Sequence, residues 1–83
     1  MASDGGLSDG KVEMWTIYES PPDYPGKFVA RLFIVRQGDP EPRATGDMAI
    51  AQSLESVRTM LPWGLALVPR SEGDDPAIVE TWL

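Results

Sequence analysis

Residues 27–36, Lys-Phe-Val-Ala-Arg-Leu-Phe-Ile-Val-Arg, constrain the fold more than any other stretch of this chain. An extended backbone sends successive side chains to opposite sides. Phe28, Ala30, Leu32 and Ile34 therefore share one face, and Val29, Arg31, Phe33 and Val35 share the other. Both faces are largely apolar, so the strand belongs inside a sheet, with its second face at least partly covered.

The segments on either side supply its neighbours. Residues 14–19, Met-Trp-Thr-Ile-Tyr-Glu, are rich in aromatic and β-branched types and predict a first strand. Trp15 and Ile17 lie on one of its faces, and Met14, Thr16 and Tyr18 on the other. Three prolines and the Pro25-Gly26 pair make residues 20–26 a loop. Gly38, Pro40, Pro42 and Gly46 mark residues 37–46 as a second loop, and a short third strand follows over residues 48–51.

Ser53 is placed to cap a helix of about eight residues, because its hydroxyl can accept from the free amides of the first turn and Glu55 suits the positive end of the helix dipole. Leu54, Val57, Met60 and Leu61 form the buried stripe of that helix. Pro62-Trp63-Gly64 ends it, with Trp63 expected to close the helix end against the core. Residues 65–68 and 77–83 read as two further strands around the polar loop 71–76. Trp15, Phe28, Phe33 and Trp82, all in strands, are expected in the core.

The predicted fold is α+β: a mainly antiparallel sheet of four to five strands with one short helix packed on a face, in the order β-β-(β)-α-β-β. Residues 14–83 make the single domain. Residues 1–13 carry three Gly, two Ser and two Asp with few apolar side chains, which predicts a disordered N-terminal tail.

Composition narrows what such a domain can do. A chain of 83 residues has room for one core. That core supplies only about 3–5 kcal/mol unless a disulfide, a metal or a partner chain adds to it. There is no Cys and no His, so tight packing or self-association must supply the rest, and a homodimer is one expected route. The same absence removes Ser-His-Asp and Cys-His nucleophile systems and zinc sites built on His or thiolate. The glycines match neither a dinucleotide fingerprint nor a phosphate-binding loop. No cofactor and no metal is expected, and a non-catalytic role is favoured over an enzymatic one.

The net charge of −6 disfavours nucleic acid, whose phosphates must be neutralised by Lys and Arg. No run reaches the roughly 20 apolar residues of a membrane span, and the N-terminus lacks the pattern of a signal peptide, so a cytoplasmic protein is expected. Acidity gathers late in the chain, at Glu72, Asp74, Asp75 and Glu80, whereas Lys27, Arg31 and Arg36 sit in the second strand without an acid. Were the second and last strands neighbours, Arg31 and Glu80 would form a cross-strand pair.

The candidate binding residues are Tyr24, Arg31, Arg70, Asp74 and Asp75. Tyr24 sits among prolines in a loop, where a ring can act as a recognition contact or pack over the sheet edge. Asp74 and Asp75 form the only dense acidic cluster with Glu72, and in a Pro- and Gly-containing loop their plainer role is to accept local backbone amides.

From Met14 onward the chain resembles a family of small bacterial proteins with which no activity is associated. The resemblance is carried by Trp15-Thr16-Ile17-Tyr18, Pro22-Asp23-Tyr24-Pro25, Phe28-Val29-Ala30-Arg31, Leu67-Val68-Pro69-Arg70 and the run Asp74 to Leu83. It implies one compact domain over about 70 residues and no mechanism. Leu32 stands where that pattern has Arg or Lys, which weakens any basic surface there. The expected function is a non-catalytic protein-interaction module. The alternatives are a small-molecule binder or small enzyme using carboxylate and Arg groups, and an acidic inhibitor from a mobile element.

Overall fold

The computed structural model describes residues 10–70, 73 and 75–83. Strands β1 (Lys11–Glu19), β2 (Phe28–Arg36), β3 (Arg43–Ala51), β4 (Leu67–Val68) and β5 (Ile78–Trp82) form one antiparallel sheet in the order β3-β2-β1-β5-β4. Helix α1 (Leu54–Thr59) packs on one face, giving the α+β class and element order read from the sequence. The apolar strand β2 lies inside the sheet between β1 and β3.

The last two strands are shorter than expected, at Leu67–Val68 and Ile78–Trp82, and three further boundaries differ, each for a backbone reason. Strand β1 begins at Lys11, so residues 11–13, assigned by composition to the tail, are ladder residues opposite Arg36, Val35 and Ile34. Main-chain bonds to a nine-residue β2 extend the strand where side chains alone do not. Residues 1–9 of the expected tail lie outside the described residues.

Strand β3 runs from Arg43, not from 48, and takes in half of an expected loop. Its register breaks between Met48, opposite Arg31, and Ala44, opposite Phe33. The extra residues form a bulge held by Thr45, whose hydroxyl donates to the Leu32 carbonyl at 3.0 Å and accepts the Asp47 amide at 3.0 Å. Gly46 is therefore a bulge residue inside a strand, which glycine-as-loop reasoning misreads.

The helix is six residues long, shorter than the sequence pattern suggests. Ser53 caps it, with its Oγ accepting from the Ser56 amide at 3.1 Å. The Met60 amide then bonds to the Val57 carbonyl, a tighter turn that ends the helix before Met60 can face inward. Met60 is 54% exposed and Trp63 99% exposed, so neither takes its expected place against the core.

Ile17, Ala30 and Val57 make the centre of the core and are fully buried. Ala49 and Ala51 pack beside Ala30, and these three small side chains let the short helix settle close to β2 and β3. Trp15, Phe28 and Trp82 pack around this cluster as expected. The Trp15 indole nitrogen is buried without a partner among the described residues.

An ion pair ties the helix to β5. Arg58 donates from Nε and Nη2 to the two carboxylate oxygens of Glu80 at 2.6 and 2.7 Å, and Trp82 Nε1 donates to Oε1 at 2.9 Å. The bond from Arg58 holds Glu80 below the usual glutamate range against the opposing effect of burial, and Glu80 in turn raises Arg58. The expected cross-strand pair of Arg31 with Glu80 does not form. Both strands flank β1, so they are not neighbours, and the two side chains lie on opposite faces: Arg31 opposite Thr16, Glu80 opposite Ile17.

Candidate functional site

Pairing register assigns every laddered strand residue to a face, because directly opposed residues project the same way. One face carries the core and the helix. The other carries a central rung that crosses all five strands, Met48–Arg31–Thr16–Thr81–Val68, with Val12 opposite Val35, Met14 opposite Phe33, and Ile78, Tyr18, Val29 and Ile50 in line at the far end.

The charges divide sharply between the two faces. Lys11, Glu13, Glu19, Arg36, Arg43 and Glu80 fall on the helix side, and Arg31 is the one laddered charge on the other. The face without a helix is thus the one with almost no charge. Val12, Met48 and Val68 lie on it and are 48%, 39% and 38% exposed. These exposed apolar side chains lie at the margins of the face, with Arg31, Thr16 and Thr81 in the rung between Met48 and Val68.

A groove of about 300 Å³ opens on this face. Met14, Phe33, Pro42 and Ile78 form its apolar walls, and Thr16, Tyr18 and Thr81 contribute hydroxyls. Phe33, expected in the core, stands here instead, since its partner Met14 is on the helix-free side.

The loop of residues 20–27 lies at the Tyr18 end. Ser20 adopts φ 51° there, and its hydroxyl accepts the amide of Gly26, whose own φ of 78° suits glycine. From this loop Asp23 accepts a hydrogen bond from Arg31 Nη2 and neutralises its charge locally. Tyr18 has its pKa raised, first by burial; Arg31 works against that and Asp75 adds to it. Both charged groups are therefore within electrostatic reach of the Tyr18 phenol.

Of the sequence-chosen residues, Arg31 sits in the central rung. Arg70 donates from Nε to the carbonyl of Ile78 at 3.0 Å, which places it beside the strand residue opposite Tyr18. Asp75 accepts the Ala77 amide at 2.9 Å, a local turn contact of the plainer kind expected for this loop. Tyr24 is half-buried next to Asp23. Asp74 lies outside the described residues. Arg31 and Asp75 thus act on one tyrosine from separate segments, and Arg70 bonds to the backbone of the strand residue opposite it.

Met14, Thr16, Tyr18, Phe33 and Thr81 were not singled out from the sequence, although alternation had already put Met14, Thr16 and Tyr18 on one face. What alternation lacks is which face the helix takes. A second cavity, of about 110 Å³, lies between Arg58, Leu61, Pro62 and Trp82, and is too small for most ligands. No helix among the described residues is long and apolar enough to cross a membrane. Comparison with protein-family models, curated proteins and solved structures finds no match to this chain.

Proposed function

We propose that this protein is a non-catalytic protein-interaction module of the cytoplasm, and that its contact surface is the helix-free face of the sheet. The observation that carries this reading is the charge division. A sheet face with one neutralised Arg and a border of Val, Met, Phe and Tyr has the composition of an interface centre, where Lys, Glu and Asp are depleted and Arg, Met and aromatics enriched.

The edges of the sheet support the face over strand addition as the mode of contact. Strand β4 is two residues long, and β3 is bulged, two devices that discourage edge-to-edge pairing. The groove also favours a second reading, a small-molecule binder. Its volume is at the floor of the usual ligand range and its mouth is continuous with a flat apolar surface, which suits an inserted protein side chain better.

Capture from the native host tests the first reading. A wild-type bait is expected to retain a partner that a Met48→Lys bait loses, while Trp63→Ala, altered on an exposed turn away from that face, retains it. Equal retention by Met48→Lys would contradict the assignment of the face.

A further inference from the structure

We infer that the occupant of the helix-free face is a second copy of this chain, packed face to face about a two-fold axis. This rests on the interface reading above and names its partner. Three observations on the molecule lead to it.

The first is area. Strands β1, β2 and β3 are nine residues each. At about 3.3 Å per residue and about 4.8 Å between strands, and with β5 and β4 beside them, they present roughly 500 Å² of sheet per copy. Thr16 and Val29 are already covered by the chain itself, so two copies together bury at most on the order of 1,000 Å², the lower limit for a specific interface, and a weak dimer is expected.

The second is the size of the core. Among the described residues only Ile17, Val29, Ala30, Leu32 and Val57 are buried hydrophobics. With no Cys or His to add a disulfide or a zinc site, a chain of this length gains from burying apolar surface between copies. Val29 already faces the helix-free side at 0% exposure, while Val12, Met48 and Val68 on the same side remain open for a partner to cover.

The third is charge. The whole chain carries −6, so two copies repel unless they meet where charge is sparse. The helix-free face meets that need. Arg31 near its centre is held by its own Asp23 and so brings no uncompensated charge into the contact. A two-fold axis through this face opposes like with like, which its exposed Val and Met side chains tolerate and a charged face does not. Sheets packed this way lie about 10 Å apart with side chains interdigitated, and the groove beside Phe33 accepts side chains of the facing copy.

Sedimentation of the purified full chain over a wide concentration range tests the inference. Wild type is expected to shift from the 9.1 kDa monomer to twice that mass as concentration rises. Met48→Lys and Val12→Lys, at exposed positions that folding tolerates, are expected to weaken self-association by about tenfold or more each. Trp63→Ala is expected to leave it unchanged. Retained melting temperature in dilute solution confirms that the Lys variants are folded. A wild-type mass that stays monomeric overturns the second copy as partner, and a dimer that only Trp63→Ala disrupts overturns the helix-free face as its seat. If the chain is monomeric and Met48→Lys still loses a captured protein, the interface reading stands without self-association. If neither depends on Met48, both fall.

Discussion

Ile17→Ala is expected to strip the domain to at most about 2 kcal/mol of stability at room temperature. Ile17 lies mid-strand in β1, between β2 and β5, and its side chain is fully buried against Ala30 and Val57. Removing three carbons there forfeits transfer free energy and leaves a cavity that a sheet pinned on both sides closes poorly, for a cost of about 3 kcal/mol. A domain of this size holds about 3–5 kcal/mol in all, so the loss removes most of the margin. Urea denaturation followed by Trp fluorescence measures it. Met60→Ala, at a 54% exposed position, should change stability by less than about 0.5 kcal/mol.

Glu80→Ala is expected to cost about 2 kcal/mol, from two charge-assisted bonds to Arg58 and the indole bond of Trp82. The pair joins the helix to β5 across 22 residues of sequence, so its loss should free both elements together. The same group makes stability depend on pH. Its folded pKa lies below the unfolded one, chiefly because Arg58 bonds to the ionised form. Its contribution is complete above the unfolded value and disappears as pH falls through the lowered folded value. Thermal melts on the acid side of the ordinary glutamate range should therefore fall steeply for wild type and more gently for E80Q. Asp39 is also lowered, first by the Glu41 backbone amide and then by Arg43, and so acts in the same direction in E80Q.

Much of this fold can be read from alternation. The two faces of β2 and of β1 were assigned residue by residue from period-two spacing, and the pairing register preserves both assignments. Ser53 as a cap followed from its hydroxyl and the apolar stripe behind it. What could not be read depends on backbone contacts or on three-dimensional choice. The bulge at Thr45–Asp47 is held by the Thr45 hydroxyl, which bonds to the Leu32 carbonyl of β2 and to the Asp47 amide, so Gly46 looks like a loop residue in isolation. Trp63 looks like core by type, yet a helix that ends at Thr59 turns it into solvent.

The candidate site shows the same division. The sequence offers Arg31 and Asp75 plain structural roles as well as binding ones; the fold pairs Arg31 with Asp23 instead of Glu80 and sets Asp75 on the Ala77 amide as expected. The face itself was hidden, because whether Thr16 or Ile17 points to the helix is decided by where Val57 docks, thirty to forty residues later. Only then does the scarcity of charge on the other side become visible. Six laddered charges lie on the helix side and one on the free side.

Methionine oxidation reports on that surface without any substitution. Met14 and Met48 lie on the helix-free face and Met60 at the exposed helix end. Peroxide attacks an accessible thioether and spares a covered one. Peptide mass analysis should show Met14 and Met48 oxidising more slowly as protein concentration rises while the rate at Met60 stays constant. Met48 reacting as fast at high concentration as in dilute solution, or protection confined to Met60, would contradict the pairing of two copies through the helix-free face.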